Sequence, residues 1–502
     1  MKKIKFSILL LIFGTLVSKV LGLIREMFLA EKFGAGYISD AFILAISIPT
    51  ILITSFAAAL NTNYIPIISE IEKDNKKDVK KFNGILLNSI FIICTILVVL
   101  FFIFSKQIVK VFALGYDDEG LKYIVTLTRI SIISVYFILM QYVFQGFLEY
   151  KESFRGTALS GILLNVGFIF GLFFSSTENY YILGYGILLA YVLSFLYVLI
   201  LAIRKKFDIS INWNFKNKYL KKMVVLTIPL LLNSALWEIN GLIDKSISST
   251  IGEGYISALN YANFIVTMVS AVFATSIATV SFPKFVKMIN DGKKLELNYE
   301  VKKVLKYILI IAIPCTSLLV IYSNDIVKTL FFRGEFSNFA LEITSMSVKL
   351  YSLGILFTCL QIIIFKVFYA FQDTKTPTKT AIISILLNII LNVVLSKIIG
   401  YKGIIFATVI STVISVILLL YELNKKQNGV LDKSMLKDSL KIILANIIFF
   451  ALLYVLYIFF PHFYIINDVI TCVTRDVIIF IIASLVYLIM VFNKIIKFNL
   501  KI

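Results

Sequence analysis

Long apolar runs, each separated from the next by charged residues, glycine or proline, follow one another along almost the whole chain. A helix needs about 20 predominantly apolar residues to cross a bilayer. The pattern therefore predicts an all-α polytopic membrane protein. Its fourteen predicted spans lie at 5–31, 40–68, 84–104, 121–147, 156–175, 181–203, 220–250, 256–283, 304–323, 340–370, 378–399, 402–423, 440–460 and 471–492.

The composition excludes a soluble globular enzyme. Of the 502 residues, 59% are hydrophobic and only 16% are charged, against about a quarter charged in soluble domains. The net charge of +20 is compatible with nucleic-acid binding. However, the basic residues occur in short clusters between apolar runs, as the positive-inside rule requires, so no nucleic-acid partner is expected. One histidine and four scattered cysteines provide no familiar catalytic constellation, and the chain is not expected to be an enzyme.

The basic residues also predict the orientation of the chain in the membrane. With a cytoplasmic N-terminus, 35 of the 49 lysines and arginines lie on the cytoplasmic side, ten on the other side and four inside spans. The first apolar run continues to Ala30 without a signal-peptide cleavage site, so it is predicted to be the first span. Because the number of spans is even, both termini are expected in the cytoplasm.

Short motifs recur along the chain in the same order, at offsets of 217–223 residues. The segment 34–39 recurs at 252–257, residues 105–110 match 323–328, and the Ile-Leu-Leu-Asn of 162–165 recurs at 385–388. This offset covers six spans and indicates two parallel six-helix repeats, spans 1–6 and 7–12, an architecture typical of transporters. The predicted domains are a six-helix lobe at 1–206, a second at 207–430, and two additional transmembrane helices at 431–502.

The first predicted span carries Lys19, Arg25 and Glu26. Ionisable residues inside a span cost roughly 2.5–3.5 kcal/mol each on insertion scales and usually mark a functional site. Ser18, Gly22 and Arg25 share one helical face, and Lys19 and Glu26 share the next. One interpretation is that Arg25 and Glu26 only extend to the far interface. The alternative is a cationic wall in a water-filled cavity, where a guanidinium binds an anionic headgroup with two hydrogen bonds.

Polar residues of the second half suggest a cation site. Span 7 carries Asp244 and Lys245, which point about 100° apart on a helix, so Asp244 is available to another helix. Asn388 and Asn392 present two amides on one face of span 11, and with Thr408 of span 12 they could supply oxygens to a small hard cation. Hydrogen bonding between the helices explains these three residues equally well.

Several of these segments resemble the MurJ/MviN family of lipid II flippases, within the multidrug/oligosaccharidyl-lipid/polysaccharide exporter superfamily. The likeness extends nearly from end to end. The segments that carry it most clearly are 18–26, 33–36 with 39–42, 257–262, 330–336 and the polar turn 369–377.

The resemblance implies a substrate and a location. The substrate would be lipid II, an undecaprenyl-pyrophosphate that carries a peptidoglycan precursor, moved from the cytoplasmic to the outer leaflet of the bacterial cell membrane by alternating access. Besides membrane lipids, this undecaprenyl-linked glycolipid would be the partner of the chain.

The resemblance also implies site residues. Arg25 corresponds to the essential cavity arginine of the family, with Lys19, Glu26 and Asp40 at its other polar positions. Asp244, Asn388, Asn392 and Thr408 correspond to a sodium site, with Asn392 in place of the usual aspartate. No other cofactor is implied.

The chain departs from the family pattern at several cationic positions. Phe264 stands where the family has a span-8 arginine, and two span-2 arginines are missing, with Ile53-Thr54 and Ala58-Ala59 in that region. Either Lys245 or Arg129 compensates, or the cargo is a different polyprenyl-linked glycan. We therefore add Lys245 to the candidate substrate-binding residues.

Two other functions compete with lipid II transport. The first is a flippase for a capsule, teichoic acid or exopolysaccharide precursor. The second is a cation-coupled multidrug exporter, whose usual twelve spans are exceeded by the fourteen predicted here.

Overall fold

In the computed structural model, the described residues are 2–75, 78–153, 155–208, 210, 212–427, 429–459 and 487. Almost all of them are helical. The helices of the first half are α1 Lys2–Phe33, α2 Tyr37–Asn75, α3 Asp78–Phe112, α4 Asp118–Ser131, α5 Ser134–Tyr150, α6 Arg155–Phe174, α7 Ile182–Arg204 and α8 Lys218–Ser249.

The second half continues the all-helical pattern. A π-helical segment, Ala271–Thr275, joins its first two helices. The helices are α9 Tyr255–Ser270, α10 Ser276–Asn290, α11 Lys294–Ile321, α12 Ser323–Phe331, α13 Asn338–Ser352, α14 Ile355–Ala370, α15 Lys375–Ile399, α16 Tyr401–Lys426 and α17 Lys433–Phe459.

The all-α membrane fold predicted from the sequence is confirmed. Among the described residues, nine helices are long and apolar enough to cross a membrane, or eleven if each of two bent pairs forms one span. Every predicted span from the first to the thirteenth overlaps a helix. The fourteenth, 471–492, lies outside the described residues, so the full number of spans stays a prediction.

The duplication predicted from the sequence is visible in helix breaks at equivalent places. Predicted spans 4 and 10 are both broken, with bends of 41° between α4 and α5 and 46° between α13 and α14. Phe104 interrupts α3 with φ −104° and ψ 19°. Tyr322, at the repeat-equivalent position, separates α11 from α12 with φ −95° and ψ 13°. Two such pairs of matching interruptions indicate that both halves use the same helical design.

The chain divides into two compact units. One contains the described residues of Met1–Ser257 together with Arg333–Ser337, and the other contains the described residues of Ala258–Phe332 and Asn338–Ile502. This division follows packing, whereas the predicted domains 1–206, 207–430 and 431–502 follow the repeat. Those domain boundaries stay a prediction.

Small residues allow close helix packing in the first unit. Gly167 and Gly171 of α6 face Ala190 and Gly186 of α7 so closely that a Cβ at Gly171 would lie 2.4 Å from the Gly186 Cα atom. Spacing of small residues by four positions on both helices is a common device of membrane helix pairs, because it lets the backbones approach. The α6–α7 pair therefore forms a tight support for the residues that α6 presents to α1.

In the second unit, charged pairs connect the ends of helices. Lys302 of α11 donates to Asp432, just before α17, at 2.7 Å, and Lys306 of α11 pairs with Asp438 of α17. These residues lie at the end of α11 that is predicted to be cytoplasmic. There the chain leaves the apolar part of the helix and charge pairing is expected.

Candidate functional site

Arg25 and Glu26 form an ion pair on α1. Their side chains are 18% and 3% exposed, so the pair is largely removed from solvent. The Arg25 guanidinium also lies over the ring of Phe168 in α6, with 5.2 Å between the Cζ atom and the ring centroid. A cation over an aromatic face is stabilised by the ring quadrupole, so both neighbours fix the position of this guanidinium.

The helical face that contains Ser18, Gly22 and Arg25 packs against α6. The Asn165 amide of α6 donates to the backbone oxygen of Ser18 at 3.1 Å and to its hydroxyl at 3.2 Å. Gly161 lies beside the same hydroxyl, which would be 2.7 Å from an added Cβ. The part of this face at Ser18 is thus in contact with α6, and only the part at Arg25 carries the guanidinium. Lys19, on the adjacent face, is half-buried.

Lys245 of α8 lies in the same unit and is electrostatically close to this pair. Its ammonium donates to the hydroxyl of Ser47 in α2. The charges acting on it include Glu238, Asp244 and Glu26. Glu26 is thus the ion-pair partner of Arg25 and one of three acids whose charge acts on Lys245. This electrostatic link connects Lys245, the replacement cation suggested by the sequence, to the Arg25–Glu26 pair.

Asp40 has a different environment from the other candidate residues. It is fully buried and hydrogen-bonded to the Tyr116 hydroxyl. Its carboxylate oxygens also accept from the backbone N–H groups of Gly254, at 2.8 Å, and of Ser257, at 2.7 Å. These N–H groups belong to the first turn of α9 and the residue before it, so Asp40 caps that helix. A carboxylate at a helix N-terminus is stabilising. The structure therefore gives Asp40 a structural role, and its part in substrate binding stays a prediction.

Three of the four candidate cation ligands meet in the second unit. The Asn388 amide of α15 donates to the Thr408 hydroxyl of α16 at 3.3 Å, and the Asn392 amide donates to the side-chain oxygen of Asn388 at 2.8 Å. Asp244 belongs to the first unit. The Asn388–Thr408 bond joins α15 to α16, as the sequence suggested in the alternative interpretation, whereas the Asn392–Asn388 bond lies within α15. The four-residue cation site stays a prediction.

Phe264, which stands in place of the family's span-8 arginine, and Arg129, one of the two candidates to compensate for it, belong to different units. Phe264 is half-buried in α9 and belongs to the second unit. Arg129 of α4 is exposed, and its Nε atom donates to the Ser105 hydroxyl at 2.9 Å. Since Arg129 is bound to α3, Lys245 is the better candidate for compensation.

A family model described as "Lipid II flippase MurJ" matches residues 29–494, almost the whole chain. The chain belongs to the lipid II flippase MurJ family. Similar family members include a probable lipid II flippase of Buchnera aphidicola, from the pea-aphid subspecies, at 26% identity over 88% of each chain. Another is the lipid II flippase of Burkholderia cenocepacia, at 26% identity over 84% of each chain. The family resemblance read from the sequence is thus confirmed.

Solved structures agree with this assignment. A structure titled "Lipid II flippase MurJ, inward closed conformation" matches with a TM-score of 0.84 and 27% identity, over 97% of this chain and 99% of the other. An inward-facing multidrug transporter of the MATE family matches with a TM-score of 0.69 but only 14% identity, over 82% of this chain. That second likeness shows a shared fold alone. The chain is therefore a multi-pass membrane transporter of the MurJ family and not an enzyme.

Sequence reasoning missed the neutral partners of the charged residues. Phe168 supports Arg25, Ser47 binds Lys245, and Tyr116 binds Asp40. Phenylalanine, serine and tyrosine are common in apolar spans, so nothing distinguished these three from their neighbours. A pair of glutamines four residues apart in predicted span 4, Gln141 and Gln145, was a usable signal because amides are rare there.

Proposed function

We propose that this chain moves lipid II from the cytoplasmic to the outer leaflet of the bacterial cell membrane by alternating access. The family match across residues 29–494 carries the proposal, because it includes the whole second repeat and the first repeat from residue 29 onward. The largely buried Arg25–Glu26 pair in the first span supports it. A charge in that position is costly to insert and is usually retained for function.

Arg25 is the main contact for the pyrophosphate in this proposal. Its Nε atom is buried and has no hydrogen-bond partner among the described residues, so one prong of the guanidinium fork is unused. A guanidinium can bind a phosphate with two parallel hydrogen bonds, which an ammonium cannot do. Glu26 would hold Arg25 in place until the more highly charged pyrophosphate competes for it.

Lys19 and Lys245 supply the remaining positive charge. A pyrophosphate carries more charge than one guanidinium neutralises, and burying an unpaired charge is strongly unfavourable. Glu26 is paired with Arg25, and its charge also acts on Lys245, so in this proposal an anion that displaces Glu26 would be attracted by both cations. This would compensate for Phe264 in place of the family arginine.

We also propose that a monovalent cation such as sodium couples to transport through Asp244, Asn388, Asn392 and Thr408. One carboxylate with neutral amide and hydroxyl oxygens suits a hard monovalent ion. The hydrogen bonds among Asn388, Asn392 and Thr408 hold three of these groups close together. The proposal also places both termini in the cytoplasm, as the distribution of basic residues along the chain predicts.

Depletion of the chain in its own bacterium tests the function. Lipid II is expected to accumulate, because its synthesis continues while its export stops. Other polyprenyl-linked glycans, extracted from the same cells, should stay at their usual level. Accumulation of a capsule, teichoic acid or exopolysaccharide precursor, with lipid II unchanged, would support the alternative flippase instead.

A further inference from the structure

A partly open pocket of about 390 Å³ lies in the first unit. Helices α2, α5, α6 and α7 line it, and its mainly apolar wall carries amides and hydroxyls but no Asp, Glu, Lys, Arg or His. We call it the Gln141 pocket. Its polar lining includes Asn61, Gln141, Tyr142, Gln145, Ser160 and Tyr191.

Several polar groups of this pocket have no hydrogen-bond partner in the described part of the chain. Gln141 and Tyr191 are each only 9% exposed, yet no bond to their amide or hydroxyl is present there, and the same holds for the Tyr142 hydroxyl. The side-chain oxygen of Asn61 is buried and also without a partner among the described residues. A buried polar group without a hydrogen-bond partner is unfavourable, so this arrangement suits groups that bind a ligand.

The second half of the chain shows how a glutamine at this position is otherwise used. Gln361, 220 residues after Gln141, is equally buried at 8% exposure, and its amide donates to the Ser415 hydroxyl of α16 at 2.8 Å. The segments 186–194 and 403–411 share the pattern Gly-Ile-x-x-Ala-x-Val-x-Ser at an offset of 217. At that offset, the residue of the first repeat that corresponds to Ser415 is Val198, which has no hydroxyl. One repeat uses its glutamine to join two helices, whereas the other leaves it facing a cavity.

The pocket adjoins the candidate phosphate site. Tyr191 packs edge-on against Phe168, with 5.9 Å between ring centroids, and Phe168 supports the Arg25 guanidinium. The charge of Arg25 acts on the Tyr191 hydroxyl. A ligand whose phosphate lies at Arg25 could therefore place its next chemical group at Tyr191.

We propose that the Gln141 pocket binds an uncharged sugar ring of the lipid-linked glycan. This inference rests on the proposed function. Hydroxyl and N-acetyl groups both donate and accept hydrogen bonds, as do the amides and hydroxyls of the lining. The volume corresponds to roughly 13 water molecules at about 30 Å³ each, which is room for one sugar ring. Small-molecule sites commonly combine a few such polar groups with aromatic walls.

The charge of the lining distinguishes the sugar from the other parts of the substrate. A pyrophosphate or the carboxylates of a stem peptide would need cations, because unpaired buried charges are strongly unfavourable. The pocket contains none. A neutral ring with many hydroxyl groups is the part of the substrate that its chemistry fits.

The test compares two ligands of the purified full-length protein in lipid nanodiscs: lipid II and undecaprenyl pyrophosphate, which lacks the sugars. For Gln141→Leu and Tyr142→Phe, we expect about 3- to 10-fold weaker binding of lipid II, the effect of one neutral hydrogen bond. Binding of undecaprenyl pyrophosphate should not change. Gln361→Leu is the matched control, since it removes a buried amide of similar environment from the other repeat and should leave both affinities unchanged.

Each outcome decides between distinct possibilities. Equal weakening for both ligands, or no change for either, would overturn the sugar site and leave a pocket that holds water only. An effect that disappears with a lipid-linked disaccharide lacking the peptide would assign the pocket to the peptide and overturn the proposal. If the unmodified protein binds neither lipid II nor undecaprenyl pyrophosphate, the proposed function itself fails, independently of Gln141.

Discussion

The hydroxyl oxygens of Ser39 and Ser257 lie 3.2 Å apart, and the two serines are 218 residues apart in the chain. They occupy equivalent positions of the sequence repeat, so the two repeats touch each other at the same residue. Gly254 belongs to this contact and has a φ of +80°. An added Cβ there would lie 2.4 Å from the backbone oxygen of Ala35, so only glycine fits.

A disulfide in place of this serine pair should stop transport. Alternating access requires the repeats to separate on one side and then on the other, and the predicted topology places Ser39 and Ser257 on the outer side. Ser39→Cys combined with Ser257→Cys is expected to lose transport on oxidation and to regain it on reduction. Each single variant, oxidised in parallel, is the control. Transport that persists with the disulfide formed would show that this contact does not open.

Asp40→Asn should lower stability more than it lowers substrate affinity. Hydrogen bonds to a charged group contribute about 1.5–3 kcal/mol, and Asp40 accepts them from Gly254, Ser257 and Tyr116. The capping role predicts a lower thermal unfolding midpoint and an unchanged Kd for lipid II, whereas the substrate-binding role implied by the family resemblance predicts a weaker Kd. Asp117→Asn, an exposed cap that accepts from Gly120 at 2.9 Å, should cost less. A weaker Kd for lipid II with unchanged stability would instead support a substrate-binding role for Asp40.

Arg25→Lys should impair lipid II binding and growth as severely as Arg25→Ala. A lysine keeps the charge but loses the planar fork that matches phosphate. The measurements are the Kd for lipid II and complementation of a depleted strain, with the amount of protein checked in each case. Arg204→Ala, an exposed arginine at the end of α7, serves as the control. Normal growth with Arg25→Ala at the normal protein level would remove Arg25 from the mechanism.

Lys245→Ala is expected to be nearly as damaging as Arg25→Ala, because Lys245 supplies the positive charge of the family arginine that Phe264 replaces in this chain. Adding Phe264→Arg should then restore part of the lost transport. A double-mutant cycle measures the coupling between the two positions. Strictly additive effects without any rescue would mean that Lys245 is not the substitute, and would favour a cargo other than lipid II.

Asn392→Asp should strengthen the sodium dependence of transport. A second carboxylate beside Asn388 and Thr408 would raise the affinity of the proposed site for a cation and bring it closer to the family pattern. The measurement is transport rate against sodium concentration, with potassium as the replacement ion. An unchanged sodium dependence would favour a structural role for these residues, in the hydrogen bonds within α15 and between α15 and α16.

The helices and the repeat could be predicted from the sequence because apolar length and short recurring motifs are properties of single segments. Predicted spans 4 and 10, for example, coincide with the two bent helix pairs. The breaks themselves were not predicted, since Ile132-Ile133 and Leu353-Gly354 lie within apolar runs. Packing between helices decides where such a run bends.

The candidate site was predictable only in its charged members. Arg25, Glu26 and Lys245 are conspicuous because charges are costly in a span; the structure pairs Arg25 with Glu26, whose charge also acts on Lys245. One interpretation of the sequence placed the face of Ser18 at a cavity, but hydrogen bonds from Asn165 of α6 give Ser18 a packing role. Gln141 and Gln145 were a sequence signal for polar groups in span 4, but the pocket itself could not be located from sequence, because side chains of four helices form it.

The most direct test of lipid II transport measures how much lipid II is accessible from outside the cell to a probe that cannot cross the membrane. When the chain is depleted, we predict that total lipid II rises while the accessible fraction falls. A wild-type copy should restore the fraction, and an Arg25→Ala copy at equal protein level should not. An accessible fraction that stays constant throughout depletion would contradict the account.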